Sequence, residues 1–355
     1  MKILLITDQH FGARNDAVGF LDYYEDFYSN TVLPYIDKHN ITTIINLGDT
    51  FDRRKYVNFH TLERAKKMWF TPVAERGITM HTIIGNHDTY FKNTNDVNSP
   101  ELLLNHYENI IPYASPEVIN IDGLDIAILP WICPENYTES MDFVQTAKAE
   151  VLMGHLELSG FAMYRGYESD HGMDSNLFSR FDMVFTGHYH HKSDNGHIYY
   201  LGNPYELTWS DYNDPRGFHI FDTETRKLEF IRNPYKMFHK VIYGKVNDTD
   251  QKKANADDFK HLAGKQVKVV VQEKNNPYNF DLFIEAIYKN NPAQLTIVEE
   301  IDLTNYDEDD MINEAEDTLT ILSKHIAGME LDIDKSRLDT LMRNLYMEAL
   351  QAQDA

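Results

Sequence analysis

The feature that most constrains this chain is a series of short apolar runs, each closed by a polar tip. Lys2-Ile3-Leu4-Leu5-Ile6 ends at Asp8, and Thr43-Ile44-Ile45-Asn46-Leu47 ends at Gly48-Asp49. Thr82-Ile83-Ile84 ends at Gly85-Asn86, Val151-Leu152-Met153 at Gly154-His155, and Met183-Val184-Phe185 at Gly187-His188. Short apolar runs bounded by glycine read as the buried strands of an α/β sheet. Helical patterns fit between them, from Leu62 to Glu75 and in a stretch from Pro100 with Ser99 as its N-cap. An α/β fold is therefore expected from Met1 to about Phe221, and in such sheets the strand ends and their loops carry the ligand site.

Beyond Asn233-Pro234 the texture changes. Phe238 to Val246, Val267 to Val271 and Leu295 to Val298 read as strands and Phe280 to Tyr288 as a helix, a small α+β module without a catalytic constellation. Glu299 to Asp317 then holds ten acidic residues and no basic one. Two amphipathic stripes follow, one from Met311 to Ile326 and one from Leu338 to Ala349. The expected division is 1–235, 236–303 and 304–355, in keeping with a length of 355 residues.

Composition narrows the class. An apolar fraction of 42% is ample for a buried core. Cys133 is the sole cysteine, which excludes an internal disulfide framework and suits a reducing compartment. No signal-peptide pattern opens the sequence, and no apolar stretch approaches the roughly 20 residues that span a bilayer. A soluble, cytoplasmic protein is expected. Charge argues against nucleic acid: 33 Lys+Arg against 56 Asp+Glu leave a formal charge of -23, whereas a free-standing DNA binder shows a basic surface. Either the substrate is not a long polyanion, or contact is confined to local basic patches, metals and a partner, and composition alone favours the first.

The motifs reverse that reading. Asp8-Gln9-His10, Gly48-Asp49, Gly85-Asn86-His87-Asp88, Gly154-His155 and Gly187-His188-Tyr189-His190 each follow an expected strand. Together they offer carboxylate, amide and imidazole donors, a mixed oxygen and nitrogen set that suits Mn²⁺ or a related borderline ion. Asp-x-His and His-x-His place two donors on one side of an extended chain. Any one fragment occurs by chance, and a single buried histidine is more often a hydrogen-bonded core residue than a ligand. Five in order, each at a strand end, are not explained that way.

In this order the fragments resemble the calcineurin-like metallophosphoesterase superfamily, over roughly residues 1–221. The resemblance implies an αββα sandwich with a binuclear metal centre. By motif position it gives Asp8, His10, Asp49 and His190 to one metal and Asp49, Asn86, His155 and His188 to the other, with Asp49 bridging. It makes His87 a catalytic group facing the scissile phosphate rather than a ligand, with Asp88 orienting it. Two cations roughly 3.5–4 Å apart would lower the pKa of an attacking water and clamp the phosphate oxygens. His87 would stabilise charge or protonate the leaving oxygen.

Three details resemble the SbcD-type (Mre-eleven) nuclease family in particular. They are Thr7-Asp8-Gln9-His10-Phe11-Gly12 near the N-terminus, Gly48-Asp49-Thr50-Phe51-Asp52, and Tyr200-Leu201-Gly202-Asn203-Pro204 followed by Arg216-Gly217-Phe218. Leu201 and Asn203 depart from that family's Pro-Gly-Ser-Pro. The whole layout is similar to nuclease subunits of tailed-phage recombination complexes, which would place the chain in a host cytoplasm. The resemblance implies a DNA nuclease of recombination and repair, using Mn²⁺ or Mg²⁺, with 3′-to-5′ exonuclease action on duplexes and endonuclease action on single strands. It implies a capping domain at 236–303 that guides DNA, and helices at 304–355 that dock on an SbcC-type (Rad-fifty) coiled-coil ATPase or, in the plainer reading, on the chain's own core. It also implies a homodimer, for which Phe20 to Tyr35 is the candidate segment.

The candidate DNA contacts are Asp52, Arg53, Arg54 and Lys55, with Lys92 after the Gly-Asn-His-Asp loop, a local patch that reconciles DNA with the overall acidity. His171 and His191 are expected to be structural or solvent-facing, Cys133 a small buried hydrophobe, and Trp209 and Tyr212 packing residues. Two rivals are weighed. A protein phosphatase or small-molecule phosphodiesterase is disfavoured by Arg54 where phosphatases have the glycine of Asp-Arg-Gly, and by Asp88 where they have glutamate. A metal-dead scaffold is disfavoured because all seven ligand positions are intact.

Overall fold

The computed structural model describes residues 1–244 and 254–299, with Lys335, Arg337, Leu338, Leu341 and Met342. Apart from those five, the expected helices at 304–355 lie outside the described residues.

Two six-stranded sheets carry the N-terminal part. The first runs, in spatial order, Leu228–Arg232, Gly217–Asp222, Lys2–Ile6, Thr43–Asn46, Thr79–Ile83 and Ile110–Tyr113. Its last four strands are parallel and its first two antiparallel to their neighbours. The second runs Ser193–Asp194, Ile198–Tyr200, Met183–Gly187, Val151–His155, Leu124–Leu129 and Glu117–Ile121, with the middle four parallel.

Alternation along the strands explains the layers. Ile3, Leu5, Ile45, Leu47 and Ile83 of the first sheet share one apolar cluster with Ile126, Ile128, Val151, Met153 and Phe185 of the second. The intervening Leu4, Ile6 and Ile44 point the other way, into a cluster with helix residues Phe20, Tyr24, Phe27, Met68 and Trp69. Leu152, Val184 and Leu129 likewise leave the seam for a cluster with Val144 of the Tyr137–Thr146 helix. Both faces of each sheet are thus buried, which is why the strands read as unbroken apolar runs rather than alternating ones. The layering is αββα.

The first helical run spans Val18–Phe27 and Leu33–His39, with a π-helical turn at Tyr28–Val32. Phe20, Leu21, Tyr23, Tyr24, Phe27, Tyr28, Val32 and Leu33 are all buried in the chain's own core. The apolar face of the candidate dimer segment, Phe20 to Tyr35, is taken up by packing on the first sheet, which leaves Asp22, Asp26, Ser29, Asn30 and Pro34 exposed on its outer face. A second run, Phe59–Ala65 and Thr71–Glu75 about a π-helical turn at Lys66–Phe70, starts before Leu62 because the Asn58 side chain caps it through the His60 amide. The helix Ser99–Leu104 is capped by Asn98, not Ser99, through the Glu101 amide at 2.9 Å.

The second module is a parallel three-stranded sheet, Phe238–Tyr243, Gln266–Val271 and Gln294–Glu299, crossed by the helix Pro277–Tyr288. It is tied to the first by the amides of Met237 and Phe238, which donate to Glu206 at 2.7 and 2.9 Å, and by Lys268 over the Trp209 ring. Trp209 and Tyr212 therefore pack at this joint, Tyr212 under Lys240. Among the described residues no helix is long and apolar enough to cross a membrane.

Candidate metal centre

All the motif loops leave the C-terminal ends of parallel strands, where the two sheets meet. Asp8 and His10 follow the Lys2–Ile6 strand, Asp49 follows Thr43–Asn46, and Asn86 and His87 follow Thr79–Ile83. His155 ends its strand on the other sheet, and His188 and His190 follow Met183–Gly187. The loops must turn at once to aim these groups inward. Asp8, His10, Asp49 and His188 have φ of 50°, 44°, 53° and 85°, the left-handed region that side chains other than glycine disfavour. Such conformations cost about 1–3 kcal/mol each and persist where surroundings over-determine them. Gly85 and Gly187 supply the room: a Cβ at the first would overlap Asp49, and at the second Thr7.

The donor atoms converge. Asn86 Oδ1 lies 2.9 Å from His155 Nε2 and 3.0 Å from His188 Nδ1, and Asp49 Oδ2 lies 3.3 Å from His155 Nε2. His10 Nε2 is 3.0 Å from His190 Nε2, 3.8 Å from Asp49 and 4.0 Å from Asp8. Asp8 with His10 and His190, and Asp49 with His155 and His188, each gather within 4.8 Å, as do His10, Asp49 and His87. The structure thus brings all seven expected ligands together around Asp49.

Electrostatics fit divalent cations. Burial alone would lower the His10 and His155 imidazoles, yet carboxylates outweigh it: Asp52 and Asp49 raise His10 to about 9, and Asp49 and Asp8 raise His155 to about 9. Burial takes His188 down to about 3 and holds His190 well below the usual histidine range, each reinforced by its cationic neighbour. Burial raises Asp8, whereas His155 leads the groups that overcome burial and hold Asp49 well below the usual carboxylate range. The carboxylates therefore demand positive charge that the imidazoles meet only by taking protons, two of them against their own burial. Cations bound by neutral imidazole nitrogens and carboxylate oxygens would meet the same demand. His155 is already set for this, because its Nδ1–H donates to the Leu47 carbonyl at 2.8 Å and leaves Nε2 facing the cluster.

Three expectations change. Asp88 does not orient His87. Its carboxylate accepts the amides of Gly85, Thr50 and Phe51 at 3.0, 2.9 and 3.3 Å, so it clamps two loops, while burial, with Asp49 beside it, pushes it up to about 7. His87 is oriented instead by the Asp52 carbonyl, 2.6 Å from Nδ1. Asp52, expected among the DNA contacts, turns its carboxylate inward to within 3.4 Å of His10 Nδ1. Arg53 is likewise engaged within the chain, by Asp16 at 3.0 Å, Asn15 at 2.7 Å and the Tyr56 hydroxyl and ring.

Arg54 is different: its Nη1 is buried without a partner and it lies in the field of Asp49, which opposes the lowering by burial. Lys55 and Lys92 are exposed. His191 pairs with Asp214 at 2.7 Å, His171 is exposed beside Asp170, and Cys133 is buried. Arg216, to which motif reading gave no role, is buried between Asp211 and Asp214 and donates to the His190 carbonyl and to Asn203. The signal was present in Arg216-Gly217-Phe218, but its role depends on partners distant in sequence.

Residues 1–192 match the calcineurin-like phosphoesterase family. The chain belongs to that family. As a calcineurin-like phosphoesterase it is a metal-dependent phosphoesterase, with the clustered donors above as candidate ligands. It is 34% identical to exonuclease subunit 1 of Enterobacteria phage T4 over 357 aligned positions, covering 99% of this chain and all of that one. It is also 23% identical to the SbcD component of the SbcCD nuclease of Staphylococcus saprophyticus, over 71% of this chain and 74% of that one. A shorter match of 28% identity reaches the SbcD component from Staphylococcus epidermidis, over 42% of this chain and 38% of that one.

Proposed function

We propose that the chain is a two-metal DNA nuclease of recombination and repair, working in a host cytoplasm. The observation that carries this is full-length similarity to a phage exonuclease subunit together with seven converging donors. One ion would be held by Asp8, His10, Asp49 and His190 and the other by Asp49, Asn86, His155 and His188. The oxygen and nitrogen donor set favours Mn²⁺, with Mg²⁺ as substitute. Such a pair supplies an activated water and charge compensation at phosphorus. The chain's own part is positional. Asp88 holds the Gly48-Asp49 and Gly85-Asn86 loops together. The Asp52 carbonyl accepts from His87 Nδ1, so His87 can hold or deliver a proton at Nε2 toward the leaving oxygen. Arg54, with the exposed Lys55 and Lys92, would take phosphate oxygens.

In an assay with Mn²⁺ and labelled DNA, run beside a phosphoprotein and a small phosphodiester, DNA is the expected substrate. Arg54→Ala should lower cleavage of DNA by about tenfold or more, as loss of one charge-assisted contact does, while Arg53→Ala should chiefly lower stability. Preference for the phosphoprotein would favour a phosphatase instead.

We assign residues 236–303 to guiding DNA and 304–355 to an SbcC-type coiled-coil ATPase. The support is the acidic run followed by two amphipathic stripes, which can enter a partner's groove. The truncated chain 1–303 should retain metal and lose the ATPase in co-purification; retention would move the docking surface elsewhere. A homodimer is part of the same reading, and a monomer in sedimentation of the full chain would exclude it.

A further inference from the structure

A cavity of about 460 Å³ opens beside the metal centre, with His155 in its wall. Trp131 and Tyr137 supply its aromatic surface, Met173 adds a thioether, and Glu157 and Thr138 bring polar groups. None of its lining residues is a lysine or arginine, so it is ill suited to a phosphate. It suits a neutral, flat group with a few hydrogen-bonding edges, and its size falls within the roughly 300–1,000 Å³ of small-molecule sites.

Its position is as telling as its lining. The Trp131 ring lies 5.1 Å from the His188 ring and 6.1 Å from that of His155. The wall is also preset. Trp131 donates its amide to the Ile84 carbonyl at 2.8 Å, and its own carbonyl accepts from Asn95 and Asn136 at 2.8 and 3.0 Å. A group stacking there would find the backbone that carries the indole already fixed, which lowers the entropy cost of binding.

We propose that this cavity takes the nucleobase of an unstacked nucleotide adjoining the scissile phosphate. The inference rests on the nuclease reading and adds a subsite to it. A phosphate held by groups around Asp49 carries its own sugar and base within reach of Trp131, and stacking on aromatic faces is indifferent to sequence. Glu157 and Thr138 offer the base edge an acceptor and a hydroxyl. The base must first leave its stack, so a single strand or a frayed end enters more readily than an intact duplex.

The test uses the full chain with Mn²⁺ and two single-stranded oligonucleotides, identical except that one carries an abasic tetrahydrofuran nucleotide at the cleaved position. Wild type should lose about 5- to 100-fold in kcat/KM on the abasic strand, the span of one aromatic–base stack. Trp131→Ala should lose a similar factor on the intact strand and little more on the abasic one, with Trp131→Phe largely restoring discrimination. Tyr137→Ala, at a residue 51% exposed, repeats the cycle with little risk to folding. Equal cleavage of both strands by wild type would overturn the subsite. So would variants that lose the same factor on both strands. Failure of wild type to cleave even the intact strand would overturn the nuclease reading itself, and the subsite with it.

Discussion

Asp49→Asn is expected to abolish hydrolysis of every phosphodiester offered and to weaken both metal sites together. Asp49 is 1% exposed, and its carboxylate is shared by the two groups of donors, one through His10 and one through His155 and His188. The substitution is nearly isosteric, and asparagine tolerates the left-handed backbone at this position better than most residues. The loop should therefore survive while the charge is lost. The amide cannot supply the negative charge that His155 and His10 now face. Titration calorimetry showing two undisturbed metal sites in the variant would refute Asp49 as the bridge.

His87→Ala should lower turnover by about 10²–10⁴-fold, the usual contribution of a general acid or base, with metal content and DNA affinity nearly unchanged. The structure makes this a sharp test, because His87 also falls within a cluster with His10 and Asp49 that could itself hold an ion. Its ring stands edge-on to His10 at 4.8 Å, and its Nδ1 is engaged by the Asp52 carbonyl. That leaves Nε2 for a proton or for a metal, and metal analysis decides between them. A nitrophenyl phosphodiester, whose leaving group needs no proton, should be spared if accepted. A variant that loses an ion would make His87 a ligand. One with full nuclease activity would deny it any chemical role.

The strands and the site were legible for the same reason. Ile3, Leu5, Ile44 and Val151 lie on sheets buried on both faces, so the apolar runs were continuous and ended where glycine and ligand residues had to stand. The seven donors could be found because each sits at or just beyond the end of such a run. What escaped was set by partners remote in sequence. Asp88 neighbours His87 in the chain but bonds to amides about 38 positions away. Asp52 reads as part of a charged surface run, yet faces His10. Arg53 and Arg54 are adjacent and alike, and only packing separates one held by Asp16 from one with a buried, unpartnered Nη1. The apolar face of Phe20 to Tyr35 carried no mark of whether it would meet another copy or its own sheet.

The meeting of two sheets at the donor cluster would give bound ions a mechanical meaning. Asp8, His10, Asp49 and Asn86 belong to one sheet and His155, His188 and His190 to the other. The protein already laces that line with the His188 amide on Asp8 and the His155 ring on the Leu47 carbonyl. Ions shared by donors from both sides would be rivets through a lamination. Whatever free energy they gain by binding only the folded chain is added to its resistance to unfolding. Affinity for metal and cohesion of the sandwich are then two readings of one quantity, and a distant core substitution that splays the sheets would present itself at the bench as a defect in metal binding.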